Sequence, residues 1–491
     1  MRNAISREPA LMKNDYTFAN QKIIHLHLFF YNLLLWLYRI IVKLAANWNP
    51  KARLWVNGRK GIFPKLAESF PQKVSPLIWI HCSSLGEFEQ GRPVLDGIRK
   101  EYPTSKILLT FYSPSGYEAQ KNYVGADYIF YLPPDSKRNA RKLLDIVQPQ
   151  FVLWIKYDYW YYYLSELKRR NIPAILVSGV FRKDQPFFKW YGRLHRYMLE
   201  SFSHLLVQNE GSRDLLASLG YTENVTICGD TRFDRVVQIA SQFLPLAGIG
   251  EFCGDKNVVV AGSTWDADEE ELDHYANSNP QVRFIIAPHE VDEEHLKETE
   301  KLFKNSVRYS QWMSKGQEAR GKGQEAKGKR QEERDKGQEA RGKGQEERDK
   351  GQEARGKGQN ENSNDSQEAN VLIIDNIGML SRLYKYATIA YVGGGFGDDG
   401  VHNVLEAAVY GKPVVFGPVF DKYIEAIELI DEGGGFTVEN ALELEKLFDE
   451  ILSDKQLYKE SSEASRNYVY RKKGATDKIL QFIQEKRLLT N

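Results

Sequence analysis

The chain has 491 residues, of which 42% are hydrophobic and 27% charged, with a formal net charge of +1 at pH 7. This is a globular composition with room for two or three domains. The near-zero charge argues against a protein built as a whole to bind nucleic acid. Three cysteines, Cys82, Cys228 and Cys253, fit neither a zinc motif nor a disulfide framework, which indicates a reducing compartment.

An apolar segment at 23–42 follows a polar N-terminal tail at 1–22 and is about as long as a helix that crosses a hydrocarbon core. Polar residues interrupt it at His25, His27, Asn32 and Arg39. A tilted transmembrane helix and a helix lying in the membrane interface are both open, and an amphipathic core helix is the alternative to either. A cleaved signal peptide fits less well because of the polar tail. We predict a membrane-anchor helix at 23–47.

Short apolar runs alternate with helical patterns through the rest of the chain. The runs lie at 76–82, 106–112, 151–155, 174–178, 205–208 and 225–228, and then at 257–261, 283–287, 371–374, 389–392 and 413–416. Such alternation is typical of parallel sheets covered by helices on both faces. We predict an α/β protein with two Rossmann-like, doubly wound domains at 48–236 and 237–491. Ligands would bind at the carboxyl ends of the strands, in a cleft between the domains.

The segment 315–370 interrupts the second domain. It repeats the seven-residue unit GQEARGK at 316–322, 337–343 and 351–357. No position of the unit carries a large apolar residue, so the repeat cannot form a coiled-coil seam. Its polar, glycine-containing composition cannot bury enough surface to offset the entropy of ordering. We predict a disordered insertion between two strands.

The first candidate motif, Ser83-Ser84-Leu85-Gly86-Glu87, directly follows an apolar strand. At the carboxyl end of that strand, the Glu87 carboxylate is suited to take a proton from an attacking hydroxyl as a general base. An acidic residue in the first turn of a helix also interacts favourably with the helix dipole. The spacing by itself does not decide between these two roles.

The second motif combines a glycine-rich loop, containing Gly393 and Gly394, with His402, Asn403 and Glu406. A glycine loop after a strand allows close backbone approach to a ligand, and a helix opening near His402 would offer N–H groups to a phosphate. Glu406 lies one helical turn further on, where it is placed to accept hydrogen bonds from a ribose diol. The alternative for Glu406 is a solvated helix residue.

Smaller signals lie at two other strand ends of the second half. Ser263 and Thr264 follow a strand and either contact a ligand or cap the next helix. Pro288 and His289 end another strand. No cluster of His, Cys and Asp has metal-ligand spacing, so we predict neither a metal nor another cofactor.

An aromatic and basic stretch at 154–163 and 181–193 favours a membrane surface and a phosphorylated lipid. Stacking on nucleic acid and an ordinary core with a few exposed aromatic residues are the alternatives. The apolar segment upstream favours lipid.

Taken together, these motifs resemble those of a known family, the Kdo (3-deoxy-D-manno-octulosonic acid) transferases of lipopolysaccharide assembly. The resemblance covers about 31–480 without the insertion. It implies a two-domain GT-B fold, Glu87 as the catalytic base and CMP-Kdo as the donor. The positions that match the family's donor site are Ser263, Thr264, Pro288, His289, Gly378, Met379, Leu380, Gly393, Gly394, His402, Asn403 and Glu406. Those assigned to the acceptor side are Ser84, Gly86, Ser113, Ser115, Asp158 and Arg232.

The chain departs from the family pattern on the acceptor side. The family's Glu-Thr-Glu-Leu-Trp-Pro segment reads KYDYWY at 156–161, so an acidic role at Lys156 cannot be carried over. The usual Asn-Ala-Arg loop reads SGV at 178–180, and Arg232 stands where a lysine is common.

The resemblance implies an inverting transfer of Kdo from CMP-Kdo to a lipid A precursor, at the cytoplasmic side of the inner membrane. The alternatives are another GT-B transferase that uses a different sugar nucleotide on a lipid, and a membrane-tethered binding module without activity.

Overall fold

A computed structural model describes residues 10–156, 158–314 and 369–489. The chain divides into two compact units, unit 1 (Met1–Gln238 with Lys472–Asn491) and unit 2 (Ile239–Arg471). Most of the predicted insertion at 315–370 lies outside the described residues. The three cysteines are free and buried, and burial raises the pKa of the Cys228 and Cys253 thiols to about 11.

Unit 1 begins with a long helix and continues as alternating strands and helices. Its helices are α1 (Ala10–Ala45), α2 (Pro50–Gly58), α3 (Ile62–Ser69), α4 (Leu85–Glu101), α5 (Pro114–Gln120), α6 (Lys137–Val147), α7 (Tyr161–Arg169), α8 (Arg193–Leu199), α9 (Glu210–Ala217) and α10 (Thr231–Ser241). Its strands are β1 (Leu77–Cys82), β2 (Lys106–Phe111), β3 (Tyr128–Tyr131), β4 (Phe151–Ile155), β5 (Ala174–Gly179), β6 (His204–Val207) and β7 (Val225–Ile227).

All seven strands of unit 1 are parallel, in the order β3-β2-β1-β4-β5-β6-β7. Strands β1 and β4 are buried along their whole length, as strands with helices on both faces must be. The strand order reverses direction between β1 and β4. This switch point is where the carboxyl ends of a doubly wound sheet leave a crevice for a ligand.

Unit 2 repeats this architecture. Its helices are α11 (Ile249–Cys253), α12 (Asp266–Ser278), α13 (Glu293–Leu302), α14 (Leu380–Leu383), α15 (Leu405–Ala408), α16 (Ile424–Asp431), α17 (Ala441–Ser453) and α18 (Lys455–Lys472). Its strands are β8 (Val258–Thr264), β9 (Arg283–Pro288), β10 (Ser306–Arg308), β11 (Val371–Ile373), β12 (Ile389–Val392), β13 (Val414–Phe416) and β14 (Gly435–Thr437). They form a parallel sheet in the order β10-β11-β9-β8-β12-β13-β14, with its switch point between β8 and β12.

The last helix, α19 (Ala475–Glu485), belongs to unit 1, whereas the sequence analysis assigned 237–491 to the second domain. Ile479, Leu480 and Ile483 are buried in the same core cluster as Ile78 of β1. The side chain of Asp234 accepts hydrogen bonds from the backbone amides of Gly474 and Thr476, both at 2.6 Å. Apolar burial and these two bonds attach the end of the chain to unit 1.

Helix α1 contains a segment, Leu26–Ala45, that is long and apolar enough to cross a membrane. One side of this segment packs on the rest of unit 1. The Tyr31 hydroxyl donates to Asp135 at 2.7 Å, and Asn32 bonds Tyr162 at 2.8 Å. The other side leaves large apolar side chains exposed, among them Phe29, Leu34, Trp36 and Ile41.

Candidate functional site

The loops after β1 and β2 carry the first group of candidate residues. The amide of Ser113 donates to the carbonyl of Ser83 at 2.7 Å, which joins the two loops. Ser84 is the N-cap of α4, and its hydroxyl accepts from the amide of Glu87 at 3.3 Å. Ser113 similarly caps α5, with its hydroxyl 2.9 Å from that of Ser115. Gly86 is exposed in the first turn of α4.

Glu87 is half-buried in the first turn of α4, directly after β1. Its carboxylate accepts a hydrogen bond from the backbone amide of Ser83. This contact resembles a capping box, because a residue in the first turn reaches back to an amide that precedes the helix. The same contact orients the carboxylate at the switch point of unit 1. Both the helix-terminal role and a role in proton transfer are therefore compatible with its position.

Asp158 follows β4, on the other side of the same switch point. Burial raises the pKa of its carboxyl from 3.8 to about 6. No described residue donates a hydrogen bond to this carboxylate. A carboxyl group with a raised pKa and no donor among the described residues, at the ligand end of a sheet, is a candidate for contact with a substrate.

Arg232 lies at the start of α10, and its guanidinium pairs with Asp230 at 2.7 Å. Its neighbour Thr231 is buried, with its hydroxyl 3.1 Å from that of Ser178 at the end of β5. Arg232 therefore belongs to the β5 end of the sheet, whereas Glu87 and Asp158 flank β1 and β4.

In unit 2 the glycine-rich loop follows β12 at the switch point. The Gly393 amide donates to the Gly262 carbonyl at 2.9 Å, and the Gly394 amide donates to the buried Asp268 carboxylate at 2.8 Å. A Cβ at Gly393 would lie 2.3 Å from the carbonyl oxygen of Ser263. Gly394 has a φ of +90°. Glycine is needed here for the close approach of two loops, and these two amides are already bonded within the protein.

The expectation that a helix opens near His402 is wrong. Helix α15 begins at Leu405 and has four residues. The amide of His402 donates back to the carbonyl of Gly393 at 3.0 Å, and the amide of Val401 donates to the carbonyl of Val419 at 2.9 Å. These bonds hold 401–402 as a loop against the sheet, so the helix starts three residues later.

Three aromatic rings stack at the ends of β8 and β9. Trp265 lies against His289 with ring centroids 4.4 Å apart, and His289 lies against His402 at 4.7 Å. The indole Nε1 of Trp265 also donates to Nε2 of His402 at 3.1 Å. The sequence analysis selected both histidines but missed Trp265, although its place directly after Gly262-Ser263-Thr264 was a signal.

The other donor-side candidates surround this loop. Thr264 is fully buried, and its hydroxyl donates to Glu269 at 2.8 Å. Its side chain therefore points into the interior of unit 2. The side-chain amide of Asn403 donates a hydrogen bond to the Glu406 carboxylate at 3.1 Å. The predicted turn at Gly378, Met379 and Leu380 lies against β8, since a Cβ on Gly262 would lie 2.2 Å from the Leu380 side chain. Gly378 has a φ of +92°, and Met379 is buried. Pro288 ends β9, and the amide of His289 donates to the carbonyl of Thr264 at 2.9 Å.

One group in the described part of the chain has the residue types of a cation site. Ligand atoms of Asp266, His295 and Glu298 lie within 4.8 Å of one another. Both carboxylates are exposed, and Nδ1 of His295 already contacts Asp266 at 2.9 Å. Exposed acidic pairs of this kind are commonly solvated, and we assign no reaction step to this group.

Comparison with known proteins connects both units to one family. A family model described as 3-deoxy-D-manno-octulosonic-acid transferase (kdotransferase) matches residues 56–235. A 3-deoxy-D-manno-octulosonic acid transferase of Aquifex aeolicus is 23% identical over 403 residues, covering 81% of this chain and 91% of the relative. The chain thus resembles the Kdo transferases over both units. The matched range contains Glu87, Asp158 and Arg232.

Two further likenesses extend the comparison. A bifunctional glycosyltransferase/methyltransferase of Fusobacterium nucleatum is 26% identical over 444 residues, covering 87% of this chain, which spans 59% of that relative's length. A solved UDP-GlcNAc 2-epimerase of Neisseria meningitidis, bound to UDP-GlcNAc, aligns with a TM-score of 0.53 and 15% identity, covering 83% of this chain and 99% of the epimerase. The second likeness shows the fold alone. Two Rossmann-like units in one chain are the GT-B type of architecture.

Proposed function

We propose that this protein transfers Kdo from CMP-Kdo to a lipid A precursor, with the donor bound by unit 2 and the acceptor by unit 1. The observation that carries the proposal is the similarity to Kdo transferases, which extends over both units. Glu87, Asp158 and the loop that holds His402 lie at the switch points of the two sheets, where doubly wound folds bind ligands.

In the proposed reaction, Glu87 takes the proton from an acceptor hydroxyl. The hydroxyl oxygen attacks the anomeric carbon of Kdo while the bond to the CMP phosphate breaks, with inversion of configuration. CMP leaves as an anion, so hydrogen-bond donors near its phosphate stabilise the transition state. Glu406 holds the ribose. The Ser83 amide supports the role of Glu87 because it orients the carboxylate.

Unit 1 also has features suited to a lipid surface. A cavity of about 700 Å³ beside α1 is lined by Leu26, Trp190, Tyr191, Arg193 and other residues. Trp190 is 91% exposed. Exposed aromatic rings and arginines next to an apolar helix fit the headgroup level of a bilayer. Because α1 packs on unit 1 through Tyr31 and Asn32, we propose that it lies in the interface of the inner membrane, on the cytoplasmic side, and does not cross it.

The decisive experiment measures transfer by the purified full-length chain. CMP-Kdo or a UDP-sugar is supplied with a tetraacylated lipid A precursor, and the products are identified by mass. Addition of Kdo only with CMP-Kdo is the expected result. Transfer from a UDP-sugar supports the alternative GT-B transferase, and CMP binding without turnover supports a binding module.

The role of Glu87 is tested by Glu87→Gln, which keeps the size of the side chain but removes the base. We expect transfer to fall by a factor on the order of 10² to 10⁴ with unchanged CMP affinity. Glu101→Gln, at the exposed end of the same helix, is the matched control. If Glu87 only caps α4, the variant loses stability but transfers Kdo at the normal rate.

A further inference from the structure

The stack of Trp265, His289 and His402 contains one hydrogen bond with a fixed direction. The indole Nε1 of tryptophan is a donor and cannot accept. Because it lies 3.1 Å from Nε2 of His402, that nitrogen must carry the lone pair. A neutral imidazole with a lone pair on Nε2 carries its proton on Nδ1. The contact with Trp265 therefore selects one of the two neutral tautomers of His402.

We infer that Trp265 is a positioning residue for the donor: it fixes His402 as the neutral Nδ1–H tautomer, which donates a hydrogen bond to the phosphate of the CMP-activated sugar. This inference rests on the proposed function. Within 10–156, 158–314 and 369–489, no residue accepts a hydrogen bond from Nδ1 of His402. That N–H group is therefore available to a ligand.

The Nδ1–H group of His402 matters because two amides of the glycine loop already donate hydrogen bonds within the protein. The amides of Gly393 and Gly394 are bonded to Gly262 and Asp268. They are not available to a phosphate without breaking those bonds. The side chain of His402 can supply a donor in place of these two amides, which glycine-rich loops often offer to a phosphate. A Cβ at Gly394 would lie 2.9 Å from the ring of His402, so the ring rests directly on the loop.

Trp265 is itself held in place at its backbone. Its amide donates to Asp268 at 3.0 Å, and the same carboxylate oxygen accepts from the amide of Gly394 at 2.8 Å. The other oxygen of Asp268 accepts from the Tyr391 hydroxyl at 2.8 Å. The buried Asp268 carboxylate therefore binds both the glycine loop and Trp265, and it holds the two next to each other.

The surroundings of His402 also disfavour its charged form. Burial and the neighbouring His289 lower the pKa of His402, while Asp399 raises it to a smaller extent. Protonation of Nε2 would place a second N–H group against the indole N–H of Trp265 and break that bond. His402 should thus stay neutral, with its proton on Nδ1, in the range where a free imidazole begins to charge.

Trp265→Phe tests the inference, because phenylalanine keeps an aromatic ring in the stack and removes the indole N–H group. Trp312→Phe is the matched control, because Trp312 also donates from Nε1, but to the Gly248 carbonyl at 3.0 Å. In ¹⁵N-histidine spectra of the full chain, with His402 assigned by His402→Gln, we expect an Nδ1–H signal in the unmodified protein and the Trp312 variant. The Trp265 variant should show mixed tautomers. A signal from Nε2–H in the unmodified protein overturns the inference.

The second readout is the affinity for CMP as a function of pH. Each variant is compared with the unmodified protein at the same pH, which cancels the titration of CMP itself. At pH 8 we expect Trp265→Phe to bind CMP about threefold to tenfold more weakly, as for the loss of one oriented hydrogen bond. As the pH falls towards 5.5 the ratio should move towards one, because without the indole N–H group Nε2 of His402 takes up a proton more readily, and the charged ring always carries Nδ1–H.

The outcomes separate this inference from the proposed function. A ratio that does not change with pH overturns the role of Trp265 and leaves Kdo transfer intact. Failure of the unmodified protein to bind CMP overturns both. An equal pH dependence in the Trp312 variant would assign the effect to a general loss of stability, and would also overturn the inference.

Discussion

Asp158→Asn should stabilise unit 1 at neutral pH. Burial raises the pKa of this carboxyl from 3.8 to about 6. Well below pH 3.8 the group is protonated in the folded and the unfolded chain, so its burial has no effect on the free energy of unfolding. As the pH rises towards 6 the unfolded chain ionises first, and above 6 the folded chain carries the full penalty. A shift of about two units corresponds to ~3 kcal/mol.

The asparagine variant removes that penalty because it has no charge to bury. For a unit of this size we expect the melting temperature at pH 7.5 to rise by about 5 to 10 °C, and that at pH 4.5 to rise much less. Asp184→Asn, at an exposed position of the same unit, is the control and should change neither value.

Thermal unfolding followed by near-UV circular dichroism at the two pH values measures the difference. An Asp158 variant that is no more stable than the control at pH 7.5 would refute the argument, since it would mean that the folded protein already solvates this carboxylate. If Asp158 contacts the acceptor, the same variant should also lose transfer while it keeps its affinity for CMP. Greater stability with lower activity is the expected signature of a group retained for function.

Two further predictions concern the glycine loop and the anchor helix. Gly394→Ala should abolish measurable CMP binding, because the residue has a φ of +90° and its Cβ would lie 2.5 Å from the carbonyl oxygen of Gly400. Isothermal titration calorimetry with CMP measures the affinity. Normal affinity would show that the loop can shift to accommodate the methyl group. Tyr31→Phe should destabilise unit 1 by about 1.5 to 3 kcal/mol at pH 7.5, because the buried carboxylate of Asp135 loses a hydrogen-bond donor. Urea unfolding measures the change in the free energy of unfolding. A change below about 0.5 kcal/mol would show that water replaces the hydroxyl.

The strands that the sequence analysis found and missed differ in burial. The apolar runs of β1, β4, β5, β8, β9 and β12 were all predicted, and they lie inside their sheets. The strands β3, β10 and β14 were not predicted, and each lies at a sheet edge. Their sequences, YIFY, SVR and GFT, are short or mixed in polarity, because an edge strand is covered on fewer sides. The hydrophobic pattern thus identified every interior strand of the two sheets but only one of the four edge strands, β7.

The candidate site shows the same division. Strand-end residues such as Ser84, Glu87, His289 and His402 were found because they follow apolar runs, where the carboxyl ends of parallel strands bind ligands. Asp268 and Trp265 were missed, since a helix-start acid and an apolar ring look like ordinary packing in sequence. Their contacts join residues more than 120 positions apart, from Asp268 to Gly394 and from Trp265 to His402.

The sequence by itself determined the two α/β units, the strand ends that carry the candidate residues and the resemblance to the Kdo transferases. These depend on local periodicity and on residue types at fixed spacing, which the chain carries before it folds. The tertiary structure alone decided that α19 returns to unit 1, that the Gly394 amide donates to Asp268, and that Trp265 selects the tautomer of His402. These depend on pairings between distant segments, which packing sets and a linear pattern does not record.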